Sequence, residues 1–174
     1  MHPKPNQRKK HIRGRSKSKQ TRRKQPATYL LEAEVIIGLE AFTRQEIAHL
    51  CGTQATILTG PSKAGTVRFH YEGDLKELAQ LKAVLAINLV HHFAVPRPSA
   101  LLGHEHFHAL LQDITLIRSF HPPDAYQTLH IDAAGSDSRI LQRLKTELAQ
   151  HTDLQIDEEA GDLLLRLRRP TNKR

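Results

Sequence analysis

The positive charge of this sequence is concentrated in an N-terminal segment that cannot fold by itself. Residues 1–25 contain no acidic residue, and Ile12 is their only large aliphatic side chain. They contain eleven basic residues: Lys4, Arg8, Lys9, Lys10, Arg13, Arg15, Lys17, Lys19, Arg22, Arg23 and Lys24. A segment of this composition cannot bury enough apolar area to offset the entropy lost on ordering. We therefore expect residues 1–27 to be a disordered basic arm, with order beginning at Tyr29.

The rest of the chain is close to neutral. It carries 15 of the 26 lysines and arginines and all 18 acidic residues, whereas the whole chain has a formal net charge of +8. The single cysteine, Cys51, precludes an intrachain disulfide and a cysteine-based zinc site, which fits a reducing compartment. No apolar run approaches the roughly 20 residues of a membrane span, and the N-terminus lacks the apolar stretch of a secretory signal. We expect a cytoplasmic protein.

A change of hydrophobic period marks a first unit, which we expect over residues 28–97. Residues 29–36 form a predicted strand, and a helix follows as far as Gly52, because the apolar spacing changes after Gly38. Four apolar residues are expected on the buried face of that helix: Leu39, Phe42, Ile47 and Leu50.

A hairpin and a further helix–strand pair complete this unit. Residues 54–58 and 66–71 favour strands and flank the glycine-containing loop 60–65, which predicts a hairpin. Asp74 can cap a short helix, and the apolar run 84–95 predicts a long strand. The order βαββαβ is that of a ferredoxin-like fold.

A second, smaller α/β unit is predicted over residues 98–174, after a linker that contains Pro96 and Pro98. Apolar residues at helical spacing predict a helix over residues 104–117. The turn Gly135–Ser138 supplies the N-cap of a second helix. That helix carries four apolar residues on one face: Ile140, Leu141, Leu144 and Leu148. The predicted strands of this unit are residues 128–133, 154–156 and 162–168.

Three segments carry a family resemblance: Leu31–Glu40, Ala133–Ser138 and Gly161–Arg169. In this order and spacing they resemble the N-terminal region of the THUMP-domain RNA methyltransferases, some of which methylate a guanine N2 of tRNA. The resemblance covers residues 29–169. It implies a ferredoxin-like domain followed by a THUMP domain, which together bind tRNA near its acceptor stem and 3′ end. It also implies a Rossmann-like domain that transfers a methyl group from S-adenosylmethionine.

The sequence departs from this family where catalysis is concerned. It stops at Arg174 without a methyltransferase domain, and the THUMP-like unit is also expected to be shortened at its C-terminal end. It has no glycine-rich cofactor loop, and its Pro-Pro pair is flanked by His121 and Asp124 instead of the residues that hold a target amine. We therefore expect no catalytic residue and no cofactor in this chain. S-adenosylmethionine would bind only with the missing domain, which a separate methyltransferase chain would supply.

Two groups of basic residues are candidates for RNA contact. The arm would neutralise phosphates without reading sequence, and its contribution would depend on salt. In the second unit, Arg139 and Arg143 lie on the exposed flank of a helix whose N-terminus offers backbone N–H groups to a phosphate. Arg166 and Arg168 alternate with leucines and should share the solvent-facing side of the last strand. The competing interpretation is an ordinary solvated surface, with Arg143 paired to Glu147.

Two other functions compete with a role as part of a methyltransferase. The first is an independent RNA-binding accessory protein that positions tRNA or rRNA for another enzyme. The second, more remote, is a zinc hydrolase, because the segment His104–His108 has the H-E-x-x-H pattern in which two histidines bind zinc and the glutamate activates water. The positions where a glycine and a third histidine would follow hold Leu111 and Ile114, so we expect no metal site.

Overall fold

The computed structural model describes residues 27–60, 63–95, 97–135 and 138–168. The basic residues of the arm all lie outside this part, so its disorder stays a prediction. The strands are β1 (Tyr29–Glu34), β2 (Ala55–Ile57), β3 (Thr66–Tyr71), β4 (Ala86–Leu89), β5 (Thr128–Ala133), β6 (Gln155–Ile156) and β7 (Leu163–Leu167). The α-helices are α1 (Glu40–Cys51), α2 (His104–Arg118) and α3 (Arg139–Thr152), and 3-10 turns cover Gly52–Gln54, Leu75–Gln80 and Pro98–Leu102.

The first sheet has the ferredoxin-like strand order. Its antiparallel strands are arranged β2-β3-β1-β4, so that β1 pairs with both β3 and β4. Pairing of β2 with β3 confirms the predicted hairpin. The second helix of the βαββαβ pattern is a 3-10 turn, in which Asp74 accepts a hydrogen bond from the Lys76 backbone N–H at 3.0 Å. The predicted mixed α/β fold with a ferredoxin-like unit is therefore confirmed.

Glu40 ties the hairpin loop to the start of α1. Its two carboxylate oxygens accept hydrogen bonds from the backbone N–H groups of Gly38, at 2.8 Å, and Gly65, at 2.7 Å. The Gly65 backbone has a φ of 76°, in the left-handed region that favours glycine. The hydrogen bond from Gly65, and with it the one from Gly38, lowers the pKa of Glu40. The backbone N–H group of Gly65 is thus used in a hydrogen bond within the fold.

The buried face of α1 differs from the predicted one. Thr43, Ile47 and Cys51 are buried at intervals of four residues, whereas Phe42 is 58% exposed and Leu39 is exposed as well. The prediction was wrong for Leu39 and Phe42 and right for Ile47. Thr43 can be buried because its hydroxyl donates to the Leu39 carbonyl at 3.0 Å, which avoids the cost of an unpaired polar group.

The strand predicted over residues 84–95 is shorter than expected. β4 ends at Leu89, and the chain then turns toward the second hydrophobic core, against which Phe93 and Val95 pack. The predicted linker contains the 3-10 turn Pro98–Leu102, whose Leu101 is buried in the same core. One apolar run therefore serves two cores, and the division of the chain at residue 97 stays a prediction.

The second sheet is parallel, with the strand order β6-β5-β7. β5 has its predicted bounds, and β6 and β7 are shorter than predicted. Leu129 and Ile131 of β5 pack against Leu144 and Leu148 of α3 in the second core. Because β6 and β7 flank β5 and all three run in the same direction, the connection over residues 157–162 must cross β5.

The core-facing side of α3 contains a charged residue that the sequence did not suggest. Leu141, Leu144 and Leu148 are buried as predicted, but Ile140 is exposed. Lys145 is buried instead, with 4% of its surface exposed, and its Nζ donates to the Glu158 Oε2 at 2.5 Å. An ion pair of this kind offsets the cost of taking the ammonium out of water. Within the described ranges, no helix is long and apolar enough to cross a membrane.

Candidate nucleic-acid interface

The N-terminus of α3 forms as the sequence predicts. Gly135 has a left-handed φ of 75°, and the Ser138 backbone N–H donates to the Gly135 carbonyl at 2.9 Å. The Ser138 hydroxyl caps the helix by accepting from the Leu141 backbone N–H at 3.4 Å. The dipole of this 14-residue helix places partial positive charge at the turn, which favours an anion there.

Parallel strand order brings Arg168 to the same edge of the molecule. Ala133 at the end of β5 is paired with Leu167 at the end of β7, so the two carboxyl ends are neighbours. The chain leaves β5 through the Gly135 turn into α3, and it leaves β7 at the exposed Arg168. We call the surface formed by Gly135, Ser138, Arg139, Arg143 and Arg168 the basic edge. Carboxyl edges of parallel sheets are common ligand-binding places.

Arg139 and Arg143 lie one helical turn apart on exposed positions of α3. The Arg143 Nε is 3.6 Å from the Glu147 Oε1, so the ion pair of the competing interpretation is present. The Arg143 side chain is nevertheless 69% exposed. An exposed pair of this kind contributes only about 0 to 1 kcal/mol, and it leaves the guanidinium accessible to a phosphate.

Arg166 differs from the other three arginines because it faces two carboxylates. Leu163, Leu165 and Leu167 pack on the second core, which places Arg166 on the opposite face of β7. Its guanidinium forms an ion pair with Glu34 of β1, and its Nε is 3.9 Å from the Asp132 Oδ2. The contact with Glu34 joins two sheets. Sequence reasoning missed this contact, because no local pattern links residues 132 positions apart.

The residues that could take part in enzymatic chemistry are the two histidines of the H-E-x-x-H segment, on α2, and Cys51, in the first hydrophobic core. The His104 and His108 rings lie 6.3 Å apart, and the His108 Nε2 is 3.2 Å from the Gln112 Nε2. In the part of the chain that the structure describes, no three His, Cys, Asp or Glu side chains come together as a metal site. Burial, together with the Glu77 carboxylate, raises the pKa of Cys51, which keeps this thiol protonated and unreactive.

Fold and edge together define a class of protein: a small α/β chain in which a ferredoxin-like sheet precedes a parallel sheet with a basic carboxyl edge. No protein family and no curated protein matches the sequence. Among solved structures, TrmN from Thermus thermophilus is similar to this chain, with a TM-score of 0.47 and 17% sequence identity. The similarity covers 80% of this chain and 41% of the TrmN chain, so this chain spans less than half the length of that protein.

Proposed function

We propose that this chain is a cytoplasmic RNA-binding module whose preferred ligand is tRNA. The observation that carries the proposal is the division of charge: eleven basic residues and no acid in residues 1–25, and a slight acidic excess in the rest. A dense basic segment without acids is suited to a polyanion, and Lys and Arg contacts to phosphates supply affinity that is independent of sequence.

Discrimination between RNAs is assigned to the folded part. Because that part has no excess of positive charge, attraction to phosphate in general cannot account for a preference. Arg139, Arg143 and Arg168, with the backbone N–H groups at the start of α3, offer a few donors whose backbone positions on one edge are set by α3 and β7. Such donors recognise a phosphate arrangement, and so the shape of a folded RNA, in preference to base sequence. Arg166 is the fourth arginine predicted from the sequence to contact RNA, and it differs from the other three because it faces Glu34 and Asp132.

The segments that resemble THUMP-domain methyltransferases support a more specific role, as the substrate-recognition half of an S-adenosylmethionine-dependent RNA methyltransferase. The second candidate is an independent accessory protein for tRNA or rRNA, for which the basic arm would supply affinity without a partner chain. A neighbouring reading frame with methyltransferase motifs, whose product forms a tRNA-methylating complex with this chain, separates the two. The purified chain alone should show no saturable calorimetric binding of S-adenosylmethionine in either case.

Deletion of residues 1–25 tests the role of the arm. We expect weaker binding to every RNA and a flatter dependence of affinity on salt, because each lost phosphate contact lowers the log–log slope by about 0.7 to 0.9. The measurement is fluorescence anisotropy with tRNA and with an unstructured RNA of equal length, over a series of salt concentrations. An unchanged slope would exclude the arm as an RNA-binding element.

The paired change Arg139→Ala with Arg143→Ala tests the basic edge. We expect it to keep most of the bulk affinity and to erode the preference for tRNA. Lys76→Ala with Lys82→Ala is the matched control, since it removes the same charge from exposed positions of the first unit. If the arm-deleted protein shows no preference for tRNA over the unstructured strand, the edge has no role in recognition.

A further inference from the structure

An arginine of β7 contacts the first sheet. Arg166 is the fourth of the five residues of β7, and Glu34 is the last residue of β1. The guanidinium donates from its Nη1 to the Glu34 Oε1, and both side chains are about one-third exposed, at 31% and 30%. Partial burial makes such a pair less screened by solvent than a surface ion pair. The contact is therefore suited to hold one sheet against the other.

Both partners are held in place by their own sheets. The Asn88 Nδ2 of β4 donates to the same Glu34 Oε1 at 3.0 Å, so the carboxylate is oriented from within the first sheet. On the other side, Asp132 is the strand neighbour of Arg166 in β5, with its Oδ2 3.9 Å from the Arg166 Nε. A guanidinium can bind two acceptors in fixed directions, because its donors form a rigid planar fork. The pair therefore specifies an orientation as well as a distance.

The segment that connects the two sheets packs against the second unit. Phe93 and Val95 pack against the second core, and the His91 Nδ1 lies 2.7 Å from the Asp113 Oδ2 of α2. At its other end the connection is bonded to the first sheet, where the Val90 backbone N–H donates to the Leu30 carbonyl at 2.8 Å. The ion pair of Arg166 with Glu34 adds a second link between the sheets, away from this connection.

We propose that Arg166 is a positioning residue, which fixes the orientation of the ferredoxin-like sheet relative to the parallel sheet by binding Glu34. Arg166 then acts on RNA through the placement of the first unit beside the basic edge. As a direct RNA ligand it would first have to leave two carboxylates. The orientation itself does not depend on RNA binding, whereas its consequence for tRNA preference rests on the proposed function.

Distance measurements on the full chain without RNA test the orientation. Spin labels on Lys76→Cys and Gln150→Cys, both exposed, report on the two units once the buried thiol is removed by Cys51→Ala. Every protein also carries Asp132→Asn. Without this change, the carboxylate that the exchange places at position 166 would face the Asp132 carboxylate. We expect one narrow distance distribution in this parent protein.

A set of variants tests whether the ion pair of Arg166 with Glu34, and no other effect of the substitutions, determines the distances. We expect Arg166→Gln and Glu34→Gln each to cause loss of the narrow distribution, and the exchange Glu34→Arg with Arg166→Glu to restore it. Arg168→Gln, which removes an exposed charge two residues away, should leave it unchanged. Circular dichroism checks that each variant keeps both folded units. Unaltered distances in the single variants, or an exchange that fails to restore them, would overturn the proposal.

The same set of proteins gives an RNA readout. A positioning role predicts that the exchange restores the tRNA preference that each single variant loses. A direct ligand role predicts that Glu34→Gln leaves or improves binding, and that the exchange is as defective as Arg166→Gln; that result would overturn the proposed role of Arg166 in recognition. If the distances respond as expected and no variant alters RNA binding, the orientation stands and its proposed effect on the tRNA preference is refuted, whereas the RNA function itself is decided by the arm deletion and the paired change of Arg139 and Arg143.

Discussion

Replacing Gly161 with alanine tests how the second sheet is closed. Residues 157–162 cross the start of β5 to connect β6 with β7, and this short path brings Gly161 against the strand backbone. A Cβ at Gly161 would lie 2.5 Å from the His130 backbone nitrogen and 2.9 Å from the Leu129 carbonyl carbon, whereas ordinary contacts begin at 3.4 Å. These are backbone atoms of a paired strand, so the connection itself would have to move, by about 1 Å.

Such a movement reaches the next residue in the chain. The Asp162 Oδ2 accepts hydrogen bonds of 3.0 Å from the backbone N–H groups of Gln127 and Thr128 and from the Thr128 hydroxyl. These bonds hold the start of β7 beside the start of β5. Overpacking costs about 1 to 3 kcal/mol, and we expect a value in the upper part of that range because no flexible side chain can yield.

Urea denaturation followed by far-ultraviolet circular dichroism measures this cost. We expect Gly161→Ala to lower the free energy of unfolding by about 2 to 3 kcal/mol. Gly60→Ala is the matched control, because a Cβ there meets no atom within 4 Å, and it should change stability by less than about 0.5 kcal/mol. A Gly161→Ala protein with the parental unfolding midpoint would refute the close crossing of β5.

Contacts elsewhere in the fold predict three further outcomes in the same assay. Ile47→Ala should cost about 2 to 4 kcal/mol and Phe42→Ala less than about 1 kcal/mol, because only the first leaves a cavity; equal costs would contradict the buried face of α1. Glu158→Gln should destabilise more than Lys145→Met, since it leaves a buried ammonium without its partner, whereas the methionine removes the charge; the reverse order would show that the pair is unimportant. Hydrogen bonds from the hairpin loop hold the pKa of Glu40 below its ordinary 4.5, so its contribution is present above pH 4.5 and is lost as the pH falls through the folded value. Glu40→Gln should therefore destabilise at pH 7 and progressively less below pH 4.5, and a constant difference would argue against the carboxylate.

Local periodicity was sufficient for the order of elements and for most strands. The change from alternating to helical spacing after β1 and the turn before α3 are encoded in neighbouring residues, so the ferredoxin-like order and a capping turn at the start of α3 could be predicted. The phase of α1 could not. Phe42 and Thr43 are adjacent, and a threonine that satisfies its hydroxyl within the helix is as suitable for burial as an apolar residue.

Contacts between distant segments could not be predicted from the sequence. The run 84–95 is apolar apart from Asn88, His91 and His92, and nothing in it shows that its first half pairs with β1 while Phe93 and Val95 belong to another core. The basic edge could be anticipated in part, since the positions of Arg139 and Arg143 follow from helical spacing. The engagement of Arg166 with Glu34 follows only from the way the two sheets are placed.

The number of phosphate contacts made by the basic edge can be counted from salt dependence. Contacts of the arm are common to any RNA, so they add the same slope for tRNA as for an RNA duplex of equal length, in which each phosphate contact releases a similar amount of counterion. The difference between the two slopes then belongs to the folded part. Three arginines of the edge allow a difference of at most about 2.7, and the paired change Arg139→Ala with Arg143→Ala should reduce it by about 1.4 to 1.8. Deletion of residues 1–25 should lower both slopes and leave their difference unchanged. A difference that disappears with the arm would place recognition in the basic segment, and the fixed geometry of the edge would then have no part in choosing the RNA.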